Sequence, residues 1–417
     1  MDQNSPIPAS DRDILRELAK KQLEYANLPV MAERKELWVL HNRLQGKRPM
    51  VVLEENTFLG EILSPKKCEH PVAAGMERQL CQNIAAYETF DDDKVVPDFF
   101  RVYYSFSGLF MGVNLKKTTT KNGMGFHIDP IFETLEEGLP MLRPTEYVNH
   151  PDRTEEQKKI ANDILGDILP VEIKNGYNNW GFGLTSKIIG MMGMENMYFS
   201  MADEPENFHA YINMLADDLV RVLRFQEEHQ VIVVNNGNDY MGAGSFCFSD
   251  ELPAPGFSGK VRSIDTWGHL NSQETLGISP DQFNEFIYPS YEKLAKEFGF
   301  VYYGCCEPVH AFWDKSLCRL PNLRKLSISP WCEEEFMAER LSGKNVIYSR
   351  KPTPNHIGIK AEFNEQEFTA DIKKTAAAVK GRCKAEFIFR DIYMLKGNKE
   401  KTRKAVDITR GIAETMY

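Results

Sequence analysis

The chain predicts an α/β fold: a (β/α)8 TIM barrel over residues 46–417, preceded by an N-terminal helical extension over residues 1–45. Three observations predict it. From about residue 160, short apolar strands alternate with amphipathic helices, the rhythm of a parallel sheet with right-handed crossovers. Five consecutive strands end in polar or reactive residues, as strands do where they share one pocket at their carboxyl ends. A length of 417 residues accommodates one large barrel domain.

Taken in order, residues 10–45 read as helical, with Asp11 as a helix cap and Ile14, Leu15, Leu18, Leu23 and Tyr25 roughly following a 3.6-residue period. Arg48-Pro-Met-Val-Val-Leu-Glu reads as a first buried strand. Residues 60–165 mix short strands, such as Phe99-Phe-Arg-Val-Tyr-Tyr, with polar loops such as Lys116-Lys-Thr-Thr-Thr-Lys-Asn-Gly. A helix at 205–229, opened by Pro205, precedes the strand Val231-Ile-Val-Val-Asn-Asn-Gly-Asn-Asp-Tyr. A helix at 280–298 precedes Phe300-Val-Tyr-Tyr-Gly, and Arg324-Lys-Leu-Ser-Ile-Ser-Pro-Trp is the next strand. Helices at 333–342, 365–380 and 400–415 alternate with strands at Asn345-Val-Ile-Tyr-Ser-Arg and Ala385-Glu-Phe-Ile-Phe-Arg-Asp.

Composition narrows the function. The chain is 42% hydrophobic and 26% charged, as soluble globular proteins are. A net charge of −10 argues against nucleic acid as the main partner. No uninterrupted apolar run is long enough to span a membrane. Eight cysteines without a secretion signal lead us to expect free thiols and a cytoplasmic location.

The densest chemistry lies in Phe300-Val-Tyr-Tyr-Gly-Cys-Cys-Glu-Pro-Val-His310, where two thiols, a carboxylate and an imidazole fall within six residues of a strand end. These donors suit zinc, and Cys305, Cys306, Glu307 and His310 are the expected ligands. Strand alternation would place Tyr303, Cys305 and Glu307 on one face; a break at Gly304 would turn both thiols toward one site. A buried cysteine pair serving only as apolar filling is the plainer reading. Other strand ends supply substrate-contact candidates: Asn235, Asn238, Tyr303, Trp331, Arg350 and Lys351, with His127, His269 and Gln273 from elsewhere. Glu307, Asp391 and Asp239 are the candidate catalytic acids, Asp239 alternatively orienting substrate.

Those strand ends resemble the uroporphyrinogen decarboxylase superfamily, which includes corrinoid-dependent methyltransferases. The markers are Gly190-Met-Met-Gly-Met-Glu-Asn-Met, Asn235-Asn-Gly-Asn-Asp-Tyr, Tyr303-Gly-Cys-Cys-Glu-Pro, Asn322-Leu-Arg-Lys-Leu-Ser-Ile-Ser-Pro-Trp and Ser349-Arg-Lys-Pro-Thr-Pro. The resemblance implies a (β/α)8 barrel and a homodimer. It also implies a methyltransferase that moves a methyl group, with zinc assistance, from a small methoxylated or methylated-amine donor to a separate corrinoid protein. The chain lacks the Asp-x-His-x-x-Gly signature of a cobalamin domain, so the corrinoid is expected on a partner. Two departures stand out. The decarboxylases' early Arg-Gln-Ala-Gly-Arg motif is absent from Arg48-Pro-Met-Val-Val-Leu-Glu-Glu-Asn. Tyr303-Gly-Cys305 stands where the zinc methyltransferases have His-x-Cys, and Asp391 falls near their last cysteine, so the resemblance carries Cys305 over and leaves the rest of a metal shell to Cys306, Glu307, His310 or Asp391. The alternative is a metal-free decarboxylase or lyase using Arg350, Lys351 and Arg390 to grip carboxylates. A non-enzymatic binder of a corrinoid partner is a third possibility.

Overall fold

The computed structural model describes residues 5–115, 117–119 and 126–417, with side chains of 117–119, 126 and 127 left undescribed. Two helices lead the chain, α1 (Ala9–Ala26) and α2 (Pro29–Asn42). Asp11 does not cap α1, which starts two residues earlier; its carboxylate accepts from the backbone N–H of Glu69 (3.0 Å) and His70 (2.8 Å). Then follow β1 (Met50–Leu53), α3 (Pro71–Phe90), β2 (Phe100–Tyr103), α4 (Pro151–Leu165), β3 (Val171–Lys174) and α5 (Pro205–His229). The rest alternates: β4 (Trp267–Leu270), α6 (Tyr288–Ala295), β5 (Phe300–Tyr303), β6 (Leu323–Ile328), α7 (Glu334–Leu341), β7 (Ile347–Arg350), α8 (Glu365–Val379), β8 (Ala385–Phe389) and α9 (Glu400–Ala413).

Helix boundaries follow local chemistry. Pro205 opens α5, where its missing N–H costs nothing, and Gln230 stops it in the left-handed region at φ 51°. Between them Phe208, Ile212, Leu215, Leu219, Val222 and Leu223 recur at helical spacing and are buried. Asn364 caps α8 by accepting the N–H of Glu367 at 3.1 Å, a contact worth about 1 kcal/mol. Among the described residues no helix is long and apolar enough to cross a membrane.

Six strands form one parallel sheet in the order β1–β8–β7–β6–β5–β4, and β2 pairs with β3 in a second parallel ladder. The first strand thus lies beside the last, as it does when a singly wound sheet curls round on itself. Among the described residues no ladder joins the two sheets, so the expected closed cylinder appears as two ladders with two gaps. Side chains satisfy the backbone at those gaps. Asp93 and Asp92 accept the N–H groups of Val51 (2.7 Å) and Leu53 (2.8 Å) at the free edge of β1. Asn235 accepts from the Trp267 N–H (2.7 Å) and donates to its carbonyl (3.1 Å) at the free edge of β4. Residues 231–239, expected as a strand, therefore carry no ladder: an amide side chain does the pairing that a backbone would otherwise do.

Alternation divides the six-stranded sheet into two chemically distinct faces. Val51, Val301, Tyr303, Leu326, Ile328, Tyr348, Phe387 and Phe389 pack against the helices in the main core. Their neighbours Tyr302, Lys325, Ser327, Ser349, Glu386 and Lys351 occupy the opposite face, all buried. Trp38 of α2 and Phe246 join Met50, Val52 and Ile388 in a smaller core on that face.

Candidate active site

Two strand ends bring the reactive groups together. After β5, Gly304 takes φ +95°, which breaks the alternation. Tyr303 stays on the helix side, its hydroxyl 2.6 Å from that of Ser272, while Cys305 turns to the polar face. A β-carbon at 304 would stand 3.0 Å from Ser327 Cβ and 3.4 Å from Val309 Cγ1, so glycine is needed for both conformation and space. Glu307 locks the turn: its carboxylate accepts from the N–H of Ser272 (2.9 Å) and of Cys305 (2.8 Å). After β8, Asp391 is itself left-handed at φ 57°, turning its carboxylate back over the sheet.

The result is a compact cluster. The Sγ atoms of Cys305 and Cys306 are 3.5 Å apart, Cys306 Sγ lies 3.7 Å from Asp391 Oδ2, and Arg390 Nη1 lies 3.6 Å from Cys305 Sγ. Arg390 also faces Glu54 (3.3 Å) and Asp391 (3.4 Å). Glu54, at the end of β1, accepts from the Tyr240 hydroxyl at 2.7 Å. Trp180 packs edge-on against His269, ring centres 4.6 Å apart, with the Arg390 guanidinium 5.8 Å from the indole centre.

Cys306 is the thiol that gives up its proton first. The hydrogen bond from Cys305 pushes the Cys306 thiol below its ordinary value, and the same bond, with burial, pushes Cys305 up. Burial opposes the charge on Arg390, but Glu54, Cys305, Tyr240 and Asp391 outweigh it and hold the guanidinium protonated. Burial also lowers Lys351 to about 7 and His269 to about 4. His269 sits between two carbonyls, Asn179 O at 2.9 Å and Gly304 O at 3.2 Å; a neutral imidazole donates to only one of them. Beneath the thiols runs a buried polar column. Lys351 Nζ bonds Ser349 Oγ (2.8 Å), Ser349 donates to Glu386 (2.6 Å), and Glu386 is shared with Lys325 (3.1 Å) and His41 (3.1 Å).

The structure brings together some of the residues expected from sequence and separates others. Cys305, Cys306 and Asp391 meet, with Lys351 and His269 buried nearby. His310 does not join them: it turns to Glu333, 3.6 Å away. Glu307, nearly fully buried, has both oxygens committed to backbone, so the four expected zinc ligands do not converge. Among the described residues no three His, Cys, Asp or Glu side chains form a metal-holding group. Arg390 sets a cation against Cys305. Arg350 points to the helix side, held by Glu334 (3.1 Å) and the Ser329 carbonyl (2.9 Å), because it lies one residue out of phase with Ser349 and Lys351. Tyr303 faces the helices, Trp331 is exposed, and Gln273, half-buried, lies in the turn after β4. Asn235, Asn238 and Asp239 line a separate cavity of about 910 Å³. The His127 side chain lies outside the described ones. Glu54 was not singled out by sequence, although a carboxylate directly after the first strand is the pattern that marked the others.

No protein-family model matches the chain, and no curated protein matches it. Among solved structures it is similar to a methyltransferase from Methanosarcina mazei, with a TM-score of 0.51, 10% sequence identity, and coverage of 90% of this chain and 98% of that one. At that identity the likeness is one of fold.

Proposed function

We propose that this protein is a methyltransferase of the uroporphyrinogen decarboxylase superfamily, with a (β/α)8 barrel-like fold and its chemistry centred on the Cys305–Cys306 pair. It takes a methyl group from a small methoxylated or methylated-amine donor and hands it to a corrinoid carried by a partner protein. The observation that carries this reading is a hydrogen-bonded thiol pair held between Arg390 and Asp391 at the C-terminal ends of β5 and β8. The fold shared with a methyltransferase supports it.

The donor considered is a methoxylated one. The methyl carbon passes to the corrinoid acceptor as its bond to oxygen breaks. The oxygen keeps the electron pair and takes a proton from the Cys306 thiol, the more acidic of the two. Arg390 stabilises the thiolate left behind, and Asp391 returns a proton from solvent. No step is routed through zinc, since Glu307 is committed to backbone and His310 to Glu333. The test is a screen of methoxylated and methylamine donors with reduced cobalamin as acceptor. Turnover of at least one donor, falling as pH rises through the titration of the thiol pair, is expected. Absence of turnover with every donor overturns the reading.

A further inference from the structure

The cavity of about 910 Å³ lies apart from the thiols, walled by β1, α3, β2, β3 and residues 235–241, where the two ladders fail to join. Its volume is that of a small-molecule site. Neither Cys305 nor Cys306 lines it; the Glu54–Arg390 pair stands between.

Most charges on its inner wall are already paired. Lys94 holds Glu55 and Asp92, Arg34 holds Asp91 at 2.6 Å, and Lys174 holds Glu172 (3.1 Å) and Asp239 (3.3 Å). Arg101 differs. Phe100 and Val102 pack into the core of α1, α3 and α4 and border the cavity from that side, and Arg101, on the opposite face of β2, lines it as well. There it donates a single hydrogen bond, to the Asn238 carbonyl at 3.0 Å, and stacks 5.5 Å from the Phe99 ring centre. No carboxylate pairs with it among the described residues. A half-buried guanidinium with most of its fork undirected matches a carboxylate that can take two parallel hydrogen bonds. The side chains of Gln82, Asn175 and Asn179 add amide groups to the same walls, and Tyr87 and Tyr240 add aromatic ones.

We propose that this chamber is a second binding site, for a small organic carboxylate, with Arg101 as its anchor. The acid is either a separate molecule or the acid end of the methyl donor. Titration calorimetry on the whole chain, with benzoate, 4-methoxybenzoate and 4-methoxybenzamide as probes, tests the proposal. Binding of either acid with no measurable binding of the neutral amide supports it. Equal binding of both acids identifies a separate acid, and binding of the methoxylated one alone identifies the donor. Arg101→Gln should weaken binding about 10- to 100-fold, and Arg101→Lys, which keeps the charge but loses the fork, should weaken it less. Unchanged circular dichroism and melting temperature show that both variants fold. The proposal is overturned if neither acid binds, if the amide binds as well as the acids, or if a folded Arg101→Gln binds like the parent. Binding is read without turnover, so a chain that binds acids but transfers no methyl group leaves this inference standing and removes the methyltransferase reading.

Discussion

Arg390→Gln should raise the pH at which the Cys305–Cys306 pair gives up its proton. The guanidinium lies 3.6 Å from Cys305 Sγ, and its side chain is only 11% exposed. Two unit charges at about 4 Å interact by about 1 kcal/mol in water and about 4 kcal/mol at the effective dielectric of a protein surface. At about 1.4 kcal/mol per unit, the midpoint should rise by about 1 to 3 pH units. Glutamine also leaves Glu54 and Asp391 without their cation, which pushes in the same direction. The assay is the rate of iodoacetamide alkylation against pH, scored by mass on the peptide carrying both thiols. The midpoint belongs to the pair, since the two sulfurs titrate together. Asp391→Asn, which removes the nearest negative charge from Cys306, should shift it down. A midpoint in Arg390→Gln that stays put or falls would refute the claim that Arg390 governs this pair.

Three other variants probe the scaffold around the site. Gly304→Ala forces a β-carbon into a left-handed residue against Ser327, and should cost about 1–3 kcal/mol in chemical denaturation while slowing alkylation of Cys306. Glu386→Gln removes the carboxylate shared by Lys325 and His41, and should lower stability by about 3–5 kcal/mol; a variant as stable as the parent would show the column to be dispensable. His269 supplies a pH signature. Its folded pKa is lowered from 6.5 to about 4, so between those values the unfolded chain takes up a proton that the folded chain refuses. Stability should therefore fall as pH drops from 6.5 to 4, by up to about 3 kcal/mol, and His269→Asn should flatten that part of the profile.

The periodic parts of the chain were legible from sequence. The helices at 205–229 and 365–380 sit within a residue of their expected bounds, because capping residues and apolar spacing agree there. Strands 300–303 and 385–389 were equally plain. The site was legible only where strand parity held or broke visibly. Gly304 announced a break, and the thiols do turn together, whereas His310 follows a proline-led turn whose direction no periodicity encodes. Arg350 could have been excluded by counting, since Ser349 and Lys351 take the other face. The gap at 231–239 was hidden because Val231-Ile-Val-Val reads as a strand, and only tertiary packing gives its pairing to Asn235. Arg101 carries no signal in the sequence, because a lone arginine in a strand says nothing about its partners.

The most direct test of the central claim follows a deuterated methyl group from donor to acceptor. The purified chain is incubated with trideuteromethyl-labelled methoxylated and methylamine donors and reduced cobalamin, and labelled methylcobalamin is counted by mass spectrometry. The account predicts labelled product from at least one donor with the parent chain, and a loss of about 100-fold or more in Cys306→Ser, the size of effect a proton-donating group contributes. Labelled product that is undiminished in Cys306→Ser, or none from any donor with the folded parent, would contradict it.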